Sequence, residues 1–255
     1  EIQLHHLQQL KVQLAGRSLR PIAGDDAERL EGQGIQAMDS MLAAFKDETS
    51  WTRHHFSIAG ALKHKPVFRR KSRIRDGGYA YKTHFSVSMP AAAAFDEIER
   101  LRAEASIDPG CSIVWPRPIS STTSLRYLLF ASSPLKNREF HCVCRSARLP
   151  TTAQHGDCFG YVVQSLSPAL QHLSPVDSED EAHMKEAKVG YIKWCGMLVS
   201  DEDAYTAHIE IIADLDPVLR GPSLATDFAA DTAVRHHIVK TASSLEQKLL
   251  QPIAK

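Results

Sequence analysis

The chain has 255 residues, is 43% hydrophobic and 24% charged, and carries a formal net charge of zero. That is ample material for one domain with a sizeable core, and it supplies no basic field of the kind nucleic acid demands. No apolar run reaches the roughly 18–20 residues of a membrane-spanning helix, and no charged-then-apolar signal segment opens the sequence.

The sequence starts at Glu1 rather than Met and reads as a piece of a longer protein. Residues 1–24 read as an N-terminal helical extension, either packed on the domain or the end of a preceding segment, with Ile2, Leu4, Leu7, Leu10 and Leu14 apolar before Gly16 and Pro21 stop it. Asp25 and Asp26 cap a helix that runs to about Lys46 with Leu30, Ile35, Met38, Met41, Leu42 and Phe45 apolar; Gly32 and Gly34 weaken its first half. From Trp51 to Val87 a meander of three strands is expected, over His54–Ile58, Val67–Lys71 and Ala80–Val87, with Asp76-Gly77-Gly78 turning between the last two. This region is basic. It is either a solvated strand and turn or a patch for anionic headgroups, with Arg69, Arg70 and Lys71 as the candidate membrane-surface residues.

Pro90 opens a helix with Phe95, Ile98 and Leu101 on its apolar face. An irregular or short helical stretch follows to about Ser112, then a turn at Trp115-Pro-Arg-Pro118. Three strands are expected at Thr123–Ala131, Arg138–Arg145 and Cys158–Ser165, and the acidic, polar segment from Leu166 to Lys188 reads as an exposed loop. Two further strands come next. In Gly190–Val199, Lys193 marks the outer side and places Ile192, Trp194, Gly196 and Leu198 inside. In Tyr205–Ala213 the apolar or small residues fall at every second position, the period of a half-buried strand. Gly221-Pro222 breaks the chain. Ser223 then caps a long helix that carries Leu224, Phe228, Val234, Ile238, Leu245 and Leu249. Segregated helices around a run of strands define an α+β protein rather than a βαβ one. A curved antiparallel sheet gripping the long terminal helix would enclose a hollow suited to a small molecule.

The chain at this point resembles the START family, the lipid-transfer domains related to the steroidogenic acute regulatory protein. The resemblance covers about residues 25–250. It rests on Ser132-Ser-Pro-Leu-Lys-Asn-Arg-Glu-Phe-His-Cys-Val, where Glu139 stands in place of the usual Asp. It rests also on Gly190-Tyr-Ile-Lys before a glycine-containing strand, and on the strand ending at Asp214 with its short loop and terminal helix. It implies a helix-grip fold over residues 25–251 with an internal apolar cavity, closed by a lid at Leu215–Gly221 and the helix after Pro222. Some sterol-binding members place a buried carboxylate and a buried arginine at positions that fall near Leu125 and Cys144 here; neither is charged, but Arg126 and Arg145 lie one residue away, and a one-residue shift in register would turn them inward.

The resemblance implies that the chain binds a single lipid or sterol-like molecule, either transferring it between membranes or sensing it, with a transient membrane surface as partner. It would do so as a cytoplasmic, membrane-peripheral monomer with no nucleic-acid partner. The expected ligand-binding residues are Leu125, Tyr127, Leu129, Phe140, Cys142, Cys144, Tyr161, Val163, Trp194, Leu198, Ile209, Ile211, Leu219 and Phe228.

No catalytic residue, cofactor or metal site is expected. There is no Gly-x-Ser-x-Gly elbow and no phosphate loop. The five cysteines, at irregular spacing, read as buried free thiols, and Cys142-x-Cys144 lacks the second pair that a zinc site needs. Neighbouring residues diverge on strands and helices, so neither His54-His55 nor His236-His237 can chelate one ion. Glu210 and Asp214 share an outward face and read as solvated. Two other functions compete with lipid binding: a non-catalytic interaction module whose cavity is filled by side chains such as Trp194, Tyr127 and Tyr161, and an enzyme on a related fold, which would need a polar cluster inside.

Overall fold

A computed structural model of the chain describes residues 22–54, 65–75, 78–103, 111–130, 137–150, 156–173, 187–216 and 224–250. Among the described residues there are three long helices: α1 (Gly24–Lys46), α2 (Ala91–Ala103) and α3 (Leu224–Leu249). The strands are β1 (Thr52–Arg53), β2 (Val67–Lys71), β3 (Tyr79–Val87), β4 (Cys111–Pro118), β5 (Thr123–Phe130), β6 (Asn137–Arg148), β7 (Cys158–Ser165), β8 (Ala187–Val189), β9 (Tyr191–Asp203) and β10 (Thr206–Asp216). They form one sheet in the order β1-β2-β3-β10-β9-β7-β6-β5-β4, antiparallel throughout, with β8 added in parallel to β6.

Both faces of this sheet are covered. The inner face carries Tyr81, Phe85, Phe140, Cys142, Val163, Ile209 and Ile211, packed with Ala94 and Ile98 of α2 and with Val234, Ile238 and Leu245 of α3. The outer face packs under α1, whose buried residues Leu30, Gly34, Ala37, Met38, Met41, Ala44 and Phe45 repeat at helical spacing. Ile35, expected on that apolar face, is 42% exposed. Close approach of α1 requires glycine beneath it: a Cβ at Gly160 would sit 2.7 Å from the Met38 sulfur, and one at Gly196 would run into the carbonyl oxygen of Tyr161 on the neighbouring strand.

The N-terminus of α2 is held from a distance. Asp201 of β9 accepts from the Ala91 amide at 2.7 Å through one oxygen and from the Asp157 amide at 2.7 Å through the other, so a carboxylate 110 residues away satisfies an orphan helix donor.

Two strands differ from the sequence reading. Residues 111–118, read as irregular and then a turn, form β4. Among the described residues it lies at the end of the strand order and pairs only with β5, so Pro116 and Pro118 are tolerated where an interior strand would lose ladder bonds. Residues 187–189, read as loop, form β8, too short to show a period. The expected strand at 54–58 lies largely outside the described residues; the pair that forms there is β1, one residue earlier. The extension at 1–21, the turn at 76–77, the lid at 217–221 and the Ser223 cap also lie outside them.

Candidate functional site

The inner face brings together Phe140, Cys142 and Cys144 of β6, Tyr161 and Val163 of β7, and Ile209 and Ile211 of β10. Other expected ligand contacts are elsewhere. Leu125 and Tyr127 point to the outer face, where they pack with Leu30, Leu166 and Leu170. Trp194 is on that same face with Met38, Met41 and Trp51, and Leu198 packs against this cluster. The side chains of Leu129 and Phe228, and the whole of Leu219, lie outside the described residues.

The two reversals have separate causes. On β9 a bulge intervenes: Trp194 faces Asp214 and Ile192 faces Leu215, so Lys193 is an extra residue and everything after it changes face. Ile192 is therefore inside, as expected, while Trp194, Gly196 and Leu198 turn out and Met197 and Val199 turn in. On β5 the alternating residues Thr123, Leu125 and Tyr127 are fully buried on the α1 side while Ser124 and Arg126 opposite are half-buried, so alternation marks a buried face without saying that it is the inner one.

The register of β5 sets opposite each other Ser124 and Cys144, Arg126 and Cys142, Leu128 and Phe140. Arg126 thus shares the inner face that the sequence reading gave to Leu125. Its Nε donates to Ser124 Oγ at 3.1 Å. Nearby, the Arg102 guanidinium from the end of α2 lies over the Tyr161 ring and donates through Nη1 to Glu99 at 2.5 Å, while Ser146 donates to the same Glu99 oxygen at 3.1 Å. Arg102 is buried, and its Nη2 has no hydrogen-bond partner. Burial pushes the Tyr161 hydroxyl pKa well up, with the charges of Arg102 and Arg126 pulling the other way. The inner face is thus apolar along β10 and becomes cationic and hydroxyl-bearing where β5, β6 and β7 meet the end of α2. Arg145, the other arginine flagged by the sequence, faces α1 and is paired with Glu31.

A second polar group clasps α3 to the sheet. Asp231 accepts from the Tyr79 amide at 3.1 Å, from Arg75 Nη2 at 3.3 Å, and from the Tyr81 hydroxyl. Burial, and then this bond, raise the Tyr81 pKa above the ordinary tyrosine value. Asp214 is not the solvated residue expected: it is fully buried and accepts from Ser72 Oγ at 2.5 Å and the Arg73 amide at 3.2 Å.

Arg69, Arg70 and Lys71 do not share one face of β2. Arg70 is buried on the outer face, over the rings of Trp51 and Trp194 at 4.7 and 5.2 Å and 3.8 Å from Asp47, while Arg69 lies over Tyr79 on the other side and Lys71 is exposed. Alternation divides these neighbours between faces. Charge reversal therefore gives unequal results. Arg70→Glu is expected to lower stability by about 3 kcal/mol, because it strands a charge against two tryptophans. Lys71→Glu is expected to stay within about 0.5 kcal/mol of the parent protein. Equal midpoints in urea would contradict this placement.

This arrangement, a long C-terminal helix held against a wide antiparallel sheet, is a helix-grip fold, and it superposes on solved structures of START domains. Human StAR-related lipid transfer protein 5 superposes with a TM-score of 0.62 at 14% identity, over 86% of this chain and 98% of that one. Human STARD10 does so at 0.59 and 16%, over 92% and 83%. A STAR-related lipid transfer protein from Xanthomonas axonopodis does so at 0.54 and 12%, over 79% and 99%. No protein-family model and no curated protein matches the sequence. The chain has the START fold. Among the described residues no helix is long and apolar enough to cross a membrane.

Proposed function

We propose that the chain is a non-catalytic lipid-binding module that takes one amphiphilic lipid against the inner face of its sheet, beneath α3. The observation that carries this reading is the change of character along that face, from Ile209, Ile211 and Val163 to Arg126, Arg102 and Tyr161. An acyl chain removed from water gains about 0.8 kcal/mol per CH₂. A cationic corner at the end of an apolar surface orients an anionic or zwitterionic headgroup. The similar solved structures, described as lipid transfer proteins, support the same class of ligand. The reading assigns the chain a monomeric, membrane-visiting role in a reducing compartment, where Cys142 and Cys144 remain thiols. Delivery of such a ligand requires a transient membrane surface.

Blocking the face tests the reading. Cys144→Trp places a large ring where Ser124, Cys144 and Val163 now adjoin, and is expected to reduce uptake of a fluorescent phospholipid at least tenfold. Arg126→Gln is expected to leave neutral-lipid uptake intact while weakening that of an anionic probe. A Cys144→Trp protein with native circular dichroism and undiminished uptake would sink the proposal.

A further inference from the structure

The outer face of the sheet carries a cluster that lipid binding does not use. His84 of β3 stands directly opposite Glu210 of β10, and His208 stands opposite Ser86, one pleat further along the same ladder. The two imidazoles meet edge to face with centroids 5.0 Å apart. One donor atom from each of His84, His208 and Glu210 lies within 4.8 Å of the other two. All three side chains are half-buried. Two imidazoles and a carboxylate on a rigid ladder are a zinc donor set that leaves the fourth position to water.

We propose that His84, His208 and Glu210 form a binding site for a zinc-class divalent cation on the face of the sheet away from α3. The second layer of contacts favours this. Ser86 Oγ donates its only proton to Glu202 at 2.8 Å and lies 3.3 Å from His208 Nδ1. With that proton committed, Ser86 can only accept from the ring. His208 is thereby held as the Nδ1–H tautomer, and Nε2 keeps the lone pair a metal requires. Burial, and then the neighbouring His208, lower the His84 pKa. Lys82, 3.5 Å from Glu210, and Arg53 are the nearby cations; the metal replaces Lys82 as the partner of Glu210. An occupied site would pin β3 to β10, the two strands on which α3 chiefly rests.

The test is titration of the intact chain with Zn²⁺ at pH 7.5 in competition with a chromogenic chelator. One equivalent is expected to bind with a dissociation constant in the micromolar range or below. His84→Gln and His208→Gln are each expected to weaken binding at least tenfold, Ser86→Ala to weaken it less, and His236→Gln to leave it unchanged. Histidine ring resonances of the unmodified protein give a second readout, in which His84 and His208 shift on adding Zn²⁺. Failure to bind one equivalent, or binding that survives in folded His84→Gln and His208→Gln proteins without shifts of those two rings, would overturn the proposal.

Discussion

Gly196→Ala is expected to lower stability by about 3 kcal/mol or more, and Gly196→Val to leave the protein largely unfolded at 25 °C. Gly196 lies in β9 between β7 and β10, opposite Val162 and Ile212. The atoms its Cβ would meet are the Tyr161 carbonyl oxygen, the Met41 sulfur and the Val162 Cα. Methionine can swing aside, but a strand backbone in mid-ladder cannot without loss of its hydrogen bonds, so the cost exceeds that of ordinary overpacking. Gly32 provides the contrast. It sits in α1 with nothing within 4 Å of its would-be Cβ, so Gly32→Ala is expected to stabilise by about 0.5–1 kcal/mol through helix propensity and a less free unfolded chain. Urea midpoints of the two alanine variants should move in opposite directions. Movement in the same direction would contradict the packing of α1 on β7 and β9.

Asp231→Ala is expected to lower stability by about 3–5 kcal/mol and to release α3 before the rest of the sheet. The change abandons a tyrosine hydroxyl, a backbone amide and the guanidinium of Arg75, whose side chain is 7% exposed. Unmet buried donors and a stranded charge are among the costliest single lesions. Tyr81→Phe removes one donor only and is expected to cost about 1 kcal/mol. The effect also depends on pH. With its pKa raised on folding, Tyr81 contributes stability that is fully present below the ordinary tyrosine value of about 10 and lost as pH rises through the folded value. Tyr81→Phe should therefore narrow its deficit in strongly alkaline solution. Hydrogen exchange reads the local effect: in Asp231→Ala, amides of α3 should lose protection first. Uniform loss across sheet and helix would show that Asp231 does not serve as a clasp.

Much of the architecture was legible because long elements repeat. The 23 residues of α1, the alternation in β10 and the proline before α2 each carry a local signal strong enough to place them. The sheet's inner and outer sides were harder to read. On β5 the alternation of Leu125 and Tyr127 is sound, but α1 buries the side opposite α3 just as fully, and the polar neighbour Arg126 proved to face inward. On β9 one bulge at Lys193 reversed Trp194 and Leu198; nothing in Gly190–Val199 announces it, since it answers to the pairing with Asp214 and Leu215. β4 was hidden by two prolines that only an edge strand admits.

The expectation of no metal site rested on the adjacent histidine pairs and on Cys142-x-Cys144. His84, His208 and Glu210 come together only through the register of β3 with β10, across 124 residues for His84 and His208. Cross-strand sites of this kind leave no spacing signature in sequence. The same is true of Arg102, which reaches Tyr161 from a helix end, and of Arg126, which comes to the same face from a strand.

The most direct test of lipid binding is native mass spectrometry of the purified protein, with extraction and identification of whatever it carries. A mass increment of one lipid per chain, exchangeable with liposomes and diminished in Cys144→Trp, is the predicted result. A bare chain mass that stays bare after incubation with mixed liposomes would contradict it, and would instead fit a START fold whose inner face is closed by its own side chains and serves as an interaction module.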